Sequence, residues 1–173
     1  LNASGDQNLK RVILLRLSAV YQEKKDWQKF AAMQGKILIL PDLDKKTEAS
    51  ANFWLGWNEF RLKKAAASEP YLRKAREIDP KTFTSKVGPL LVRSAYQAED
   101  TALLEKEINL LRASSTKTKL PSAIVRWLGA TLSKAGEHHR AWPFLHEGLA
   151  DKESPASPLI WKLYANSALE TSH

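Results

Sequence analysis

The chain contains no cysteine, so it can form no disulfide and offers no thiol for catalysis or metal binding. Apolar runs are also short: residues 37–40 form a run of only four, far below the length that crosses a bilayer. There is no Gly-x4-Gly-Lys-Ser/Thr loop of the kind that cradles nucleotide phosphates. These absences exclude a disulfide-stapled fold and a transmembrane segment, and they argue against a nucleotide-dependent enzyme.

The size and composition of the chain are those of one globular domain. It has 173 residues, of which 43% are hydrophobic and 27% are charged, enough for a continuous core. It begins at Leu1 with no apolar signal region, and we expect a piece of a longer, bacterial protein. The lack of cysteine fits the cytoplasm and equally a bacterial periplasm or cell envelope, so the compartment stays open.

Positive charge exceeds negative charge, with a formal net charge of +8 at pH 7. The lysines and arginines are scattered in short clusters such as Lys24-Lys25 and Lys63-Lys64, and no block of five or six like charges marks a nucleic-acid arm. We interpret this charge chiefly as a solvated surface. An acidic or anionic partner is the alternative interpretation.

Apolar residues recur at helical spacing along most of the chain, and no stretch alternates as a strand does. We predict nine helices, in four antiparallel pairs and one unpaired last helix. The pairs are expected at about 9–41, 47–80, 84–114 and 122–150, and the last helix at 158–169. Residues 1–8 are small and polar and are expected to form a frayed tail. Expected helix caps are Thr47 or Ser50 for the third helix and Asp100 for the sixth.

Two stretches of the chain repeat one pattern at identical internal spacing. The first consists of Trp54, Leu55, Gly56, Pro70, Tyr71, Leu72 and Ala75, and the second of Trp127, Leu128, Gly129, Pro143, Phe144, Leu145 and Gly148. Half of the separation between the two stretches, about 36 residues, lies in the range of helical-pair repeats. The pattern therefore indicates stacked helix pairs, in which small residues allow close approach and large ones fill the gaps.

At these residues the chain resembles tetratricopeptide repeats, whose pattern is Trp-x2-Leu-Gly-x2-Tyr, then Ala-x3-Phe-x2-Ala, then Pro. The fourth pair matches with Leu128-Gly129 followed by Ala141. There are departures: Trp54 directly precedes the Leu-Gly, and Phe30 and Gln34 stand where a small residue and an aromatic are usual. The resemblance covers the chain from about residue 9 onward. It implies an all-α, right-handed superhelix (a solenoid) of about four and a half helix pairs with a concave groove.

The resemblance also implies that the first helix of each pair lines the groove. The residues expected to bind a partner there are Phe53, Trp57, Phe60 and Arg61 in the second pair and Arg126 and Lys134 in the fourth. In the first pair, Leu15, Ala19 and Gln22 are expected to face the same groove. Aromatic side chains beside Arg and Lys are the usual anchors for an extended peptide or a bound helix. Trp54, Trp127 and Trp142 are expected in the core, and Trp57 in either place.

Other classes of function find less support in the sequence. The clustered histidines His138, His139 and His146 lack a carboxylate-rich set around them, so we expect no metal site, no cofactor and no catalytic residue. Repeat proteins that read RNA place basic residues at equivalent points of every repeat, whereas only Arg61 and Lys134 correspond here. RNA binding is therefore the less favoured interpretation.

The sequence thus predicts a non-catalytic protein–protein interaction module that holds a peptide segment or helix of a partner, with no small-molecule substrate. The alternative is an assembly scaffold of the cell envelope, whose basic surface contacts an anionic glycan or a membrane-associated partner. The unpaired last helix could also support self-association, because an uncovered repeat end exposes apolar surface. The partner itself is not indicated.

Overall fold

The computed structural model describes residues 3–114 and 120–172, with side chains from residue 7 onward. All regular secondary structure in these residues is α-helical, which confirms the all-α prediction. The helices are α1 (Ala3–Glu23), α2 (Trp27–Leu38), α3 (Lys45–Arg61), α4 (Ala65–Ile78), α5 (Pro80–Gln97), α6 (Thr101–Ala113), α7 (Ser122–Lys134), α8 (His138–Leu149) and α9 (Pro158–Glu170).

The chain divides into two compact units, Leu1–Ala98 and Glu99–His173. In the first unit, α1 packs on α2, α2 on α3, α3 on α4, and α5 on both α3 and α4. In the second unit, α7 packs on α8, α9 packs on both of them, and α6 touches α7. Each unit is thus built from helices that pack against near neighbours in sequence. A single superhelix spanning residues 9–173 stays a prediction.

Several helices begin earlier than the sequence predicts. α1 begins at Ala3 and takes in most of the expected tail, of which Leu1 and Asn2 lie outside the described residues. α3 is capped by Asp44 rather than by Thr47 or Ser50, because the Asp44 carboxylate accepts hydrogen bonds from the Thr47 backbone N–H at 2.9 Å and its hydroxyl at 2.7 Å. The fifth helix, expected from about residue 84, begins at Pro80.

Aspartate caps recur at the helix N-termini. Asp100 caps α6 as predicted, accepting from the Leu103 N–H at 2.9 Å. Asp26 and Asp79 cap α2 and α5 in the same way. A backbone hydrogen bond from Thr47 holds the pKa of Asp44 below its ordinary value, and hydrogen bonds to the cap carboxylates lower the pKa of Asp26 and Asp79 as well. The caps are therefore stronger when these carboxylates are ionised.

A left-handed residue ends the first helix of each predicted pair. These residues are Lys25 (φ 55°), Lys63 (φ 61°), Glu99 (φ 54°) and Gly136 (φ 80°). At three of the turns, the next N–H donates to the carbonyl five residues back: Asp26 to Tyr21 at 2.9 Å, Lys64 to Glu59 at 3.0 Å and Glu137 to Leu132 at 3.0 Å. This is the Schellman geometry of a helix C-terminus. The Schellman turn therefore recurs at the ends of α1, α3 and α7, and a left-handed residue follows α5 as well.

The repeated sequence pattern corresponds to a repeated close contact inside a helix pair. A Cβ on Gly56 would lie 2.7 Å from Leu72 Cγ and 3.0 Å from the Leu72 backbone nitrogen. A Cβ on Gly129 would lie 2.8 Å from Leu145 Cγ and 2.9 Å from its nitrogen. Both leucines are fully buried. α3 and α4 thus approach each other as α7 and α8 do, and glycine is required for that approach.

Candidate functional site

A cavity of about 430 Å³ opens in the first unit. It is lined by Leu15, Ser18, Ala19 and Gln22 of α1, Phe30 and Gln34 of α2, and Lys46, Thr47, Ser50 and Trp54 of α3. The three α1 residues expected to face a groove, Leu15, Ala19 and Gln22, therefore lie on one surface. The volume is within the range of about 300–1,000 Å³ that is usual for ligand-binding cavities. We call this space the α1–α3 cavity.

The floor of the α1–α3 cavity contains a buried polar pair. Ser18 and Gln34 are only 4% and 6% exposed, and the Gln34 Nε2 donates a hydrogen bond to Ser18 Oγ. No described residue donates a hydrogen bond to Gln34 Oε1, yet this atom is not among the fully covered polar atoms without a partner. It is therefore an acceptor that an occupant of the cavity can reach.

Four aromatic rings continue from the cavity along α2 and α3. The ring centroids lie 5.3 Å apart for Phe30 and Trp54, 5.6 Å for Trp54 and Trp57, and 4.9 Å for Trp57 and Trp27. Their planes meet edge to face, which is a favourable arrangement of aromatic quadrupoles. The three tryptophans are half-buried, so each keeps one side exposed. We call these four residues the aromatic row.

Two cations stand at the ends of this surface. The Arg61 guanidinium lies 5.7 Å from the ring centroids of both Trp27 and Trp57. Lys46 lines the cavity at the other end. Neither forms an ion pair with a carboxylate of the described residues. Both are exposed and so remain available to an anionic group.

One face of α3 organises the whole surface. Lys46, Ser50, Trp54, Trp57 and Arg61 follow at intervals of four, four, three and four residues, which places them along a single stripe. At about 1.5 Å per residue, the two cations are about 22 Å apart along the helix. The surface is therefore elongated, with an aromatic centre and a positive charge at each end.

The other aromatic residues predicted on α3 lie elsewhere. Phe53 packs against the core formed by Leu72 and its neighbours, and its ring centroid lies 5.2 Å from that of Phe83 on α5. Phe60 is half-buried and is not among the residues that line the cavity. Of the four residues expected to bind a partner here, the structure brings together Trp57 and Arg61.

Arg126 and Lys134, the predicted binding residues of the second unit, are not brought together. Arg126 is buried, and its guanidinium donates to the carbonyl and the hydroxyl oxygens of Ser154, both at 2.6 Å. Its stem packs across Gly148. Arg126 therefore holds the loop between α8 and α9 instead of facing an open groove. Lys134 is exposed in the last turn of α7.

The remaining residues singled out from the sequence contribute to packing. Trp54, Trp127 and Trp142 are half-buried rather than fully enclosed. His138 Nδ1 lies 3.2 Å from Ser167 Oγ, and His146 Nδ1 lies 3.2 Å from the Tyr164 hydroxyl, so both histidines join α8 to α9.

Within residues 3–114 and 120–172, no group of three or more His, Cys, Asp or Glu is placed to hold a metal ion. In the same residues, no helix combines the length and apolarity that crossing a bilayer requires.

Sequence reasoning missed Lys46, Ser50 and the polar floor of the cavity. Their signal was weak, because which face of α3 is open depends on how α2, α4 and α5 pack against it. Gln34 offered the clearest sign of the polar floor, since it stands where the repeat pattern has an aromatic residue.

The chain matches no protein-family model, and a search of curated proteins finds no significant match.

Proposed function

We propose that the protein is a non-catalytic interaction module of the tetratricopeptide type, which binds a segment of a partner protein on the surface of α1, α2 and α3. The observation that carries this proposal is the continuity of the α1–α3 cavity with the aromatic row. A cavity of this size beside tryptophans that each keep one side exposed is a usual form of an anchor site.

The tetratricopeptide part of the proposal rests on two periodic features. A left-handed residue recurs after α1, α3, α5 and α7, at Lys25, Lys63, Glu99 and Gly136. The contact of Gly56 with Leu72 is reproduced, two helix pairs later, by Gly129 with Leu145. The left-handed residues lie 36 to 38 positions apart, close to the period of about 34 residues of this repeat type, and glycine stands at the tight point of two helix pairs as its Leu-Gly pattern requires.

A chain segment fits the surface better than a small molecule. The stripe on α3 extends for about 22 Å, beyond the reach of a compact ligand but equal to about six or seven residues of extended chain. Tryptophan and arginine, which lie side by side at Trp57 and Arg61, are the residue types most often found as anchors in protein interfaces.

The scaffold alternative is supported by the exposed basic residues of the first unit. Lys10, Lys24, Lys25, Lys36 and Lys63 are all exposed. A polyanion held by such residues would bind through screened charge, with affinity that falls steeply with salt. A segment buried in the α1–α3 cavity would instead bind with a negative heat-capacity change and modest salt dependence.

Two leucines of α1 provide a matched test. Leu15 is 41% exposed and lines the cavity, whereas Leu17 is 40% exposed and does not. Random twelve-residue peptides would be selected on the wild-type chain, and their affinities measured for Leu15→Glu and Leu17→Glu. We expect a loss of at least tenfold for Leu15→Glu and less than threefold for Leu17→Glu, since only the first charge enters the cavity.

The outcomes separate the two proposals. Circular dichroism would first establish that both variants are folded. Selected peptides that bind both variants as tightly as the wild type would overturn the cavity proposal. Binding of polyglutamate or heparin that is equal in all three proteins and is abolished by moderate salt would favour the charged scaffold.

A further inference from the structure

We propose that the bound segment is an extended acidic peptide anchored by a tyrosine. Its ring enters the α1–α3 cavity, its hydroxyl binds the Ser18–Gln34 pair, and carboxylates on either side pair with Lys46 and Arg61. This inference rests on the proposed function and names the ligand of that site.

The choice of tyrosine rests on the polar floor of the cavity, which Ser18 and Gln34 form. Ser18 and Gln34 are 16 positions apart, as are Gly56 and Leu72. A later helix pair thus presents glycine against an apolar leucine where this pair presents a hydroxyl and an amide. A purely apolar anchor would cover Gln34 Oε1 and leave it without a hydrogen bond, which is costly in a buried site.

A tyrosine satisfies both parts of the cavity. Its ring contacts the apolar side chains of Leu15, Phe30 and Trp54, which line the space. Its hydroxyl donates to Gln34 Oε1. A site that hydrogen-bonds a ligand hydroxyl rejects the analogue that lacks it more strongly than it rejects a missing methylene. The cavity therefore discriminates tyrosine from phenylalanine.

The choice of acidic residues on both sides of the tyrosine rests on the charges of this surface. None of the described residues lining the cavity is a carboxylate, and Lys46 is the charged residue among them. Arg61, at the far end of the aromatic row, has its guanidinium against two rings and no acidic partner among the described residues. The separation of about 22 Å corresponds to two carboxylates about six positions apart in an extended chain, one on each side of the anchor.

The test uses the full chain and the nine-residue peptide Gly-Glu-Gly-Ser-Tyr-Ser-Gly-Glu-Gly. Binding is followed by isothermal titration calorimetry and by the fluorescence of Trp54 and its neighbours. We expect the tyrosine peptide to bind at least tenfold more tightly than the same peptide with phenylalanine. We expect replacement of both glutamates by lysine to weaken binding by at least tenfold.

Two sets of variants locate the effect. The double variant Ser18→Gly with Gln34→Leu copies the later pairs, and it should lose the preference for tyrosine over phenylalanine. Lys46→Glu should weaken the binding of the acidic peptide at least fivefold. Lys45→Glu, at the same helix end but outside the cavity lining, should weaken it less than twofold. Equal affinity of the wild type for the tyrosine and phenylalanine peptides would overturn the inference, as would indifference to the sign of the flanking charges.

Failure of this inference is distinguishable from failure of the proposed function. Peptides selected from the random library that depend on Leu15, yet lack tyrosine or acidic residues, would leave the module standing and refute the ligand. Peptides that ignore Leu15→Glu would refute the site itself. Urea denaturation of each variant identifies any loss of binding that reflects unfolding.

Discussion

Ser18 accepts a hydrogen bond from Gln34 at the place in its helix pair where Gly56 meets Leu72 in the next. Both contacts join residues 16 positions apart on the two helices of a pair. The tight apolar contact of the second and fourth pairs is thus replaced in the first pair by a polar one, which lines the α1–α3 cavity. A departure from the repeat pattern coincides with the candidate site, which is where such departures are expected.

The Ser18–Gln34 pair is expected to behave as a coupled unit. Gln34→Leu alone should destabilise the protein by about 1–3 kcal/mol. The branched leucine side chain would press against Ser18, and the Ser18 hydroxyl would lose its hydrogen-bond partner. Adding Ser18→Gly should recover at least half of that loss. Urea denaturation of the wild type, both single variants and the double variant measures the coupling. Strictly additive effects would contradict the equivalence of the two contacts.

Glycine should be needed at the tight points and dispensable elsewhere. Gly56→Ala and Gly129→Ala should each destabilise the protein by about 1–3 kcal/mol, since the new methyl group meets a leucine side chain and its backbone nitrogen. Gly35, inside α2, has nothing within 4 Å of its would-be Cβ. Gly35→Ala should therefore stabilise the helix by about 0.5–1 kcal/mol. Thermal and urea unfolding test all three, and a costly Gly35→Ala would count against this account.

The left-handed turn positions should respond to glycine in opposite directions. Gly136 has φ 80°, so Gly136→Ala should cost about 1–2 kcal/mol. Lys63 occupies the same turn at φ 61°, and Lys63→Gly should stabilise by about 0.5–1 kcal/mol. The difference in unfolding free energy between each variant and the wild type gives the measurement. Two changes of the same sign would be inconsistent with a shared turn.

Acid should weaken the helix caps. The Thr47 backbone hydrogen bond lowers the folded pKa of Asp44 below the ordinary 3.8, and the caps Asp26 and Asp79 are lowered too. A depressed folded pKa contributes stability that is present above the unfolded pKa and is lost as the pH falls below it through the folded value. Asp44→Asn keeps the capping oxygen but cannot titrate. Its unfolding midpoint should fall less steeply than that of the wild type below pH 3.8, as measured by urea unfolding; parallel curves would exclude the cap as the cause.

Trp57 and Phe60 should separate the open face of α3 from its packed face. Trp57 belongs to the aromatic row, so Trp57→Ala should weaken the binding of the tyrosine peptide at least tenfold. Phe60 belongs neither to the aromatic row nor to the cavity lining, and Phe60→Ala should change affinity less than threefold. Calorimetric titration of the folded variants decides between them. The reverse order would place the binding face about a sixth of a turn away on α3.

The helices are predictable from the sequence because their signals are local. Asp100 caps the sixth helix as expected, and the turn at Gly136 lies where a glycine ends an apolar period. The differences fall at helix starts: Asp44 precedes the apolar pattern of α3 by a full turn, so the period gives no sign of it. Pro80 opens a helix whose first turn is polar, and a proline after an aspartate is equally typical of the end of a helix.

The site is predictable only in part because facing depends on tertiary packing. Leu15, Ala19 and Gln22 share one surface as expected, since one helical stripe of α1 is enough to define them. Phe53 does not lie on that surface, because its ring packs inward against Phe83 of α5. The position of α5 is set by tertiary packing and cannot be read from the sequence around Phe53. Arg126 shows the same limit: its hydrogen bonds to Ser154 depend on a loop that comes much later in the chain.

The succession of packing contacts in the first unit bears on how the protein is made. Each of its helices packs against a neighbour close in sequence, so its contact order is low and its folding is expected to be fast. The cavity needs nothing beyond Trp54, and the stripe on α3 ends at Arg61. During synthesis, which proceeds N-terminus first, the binding surface can therefore assemble on the ribosome while the second unit is still being translated.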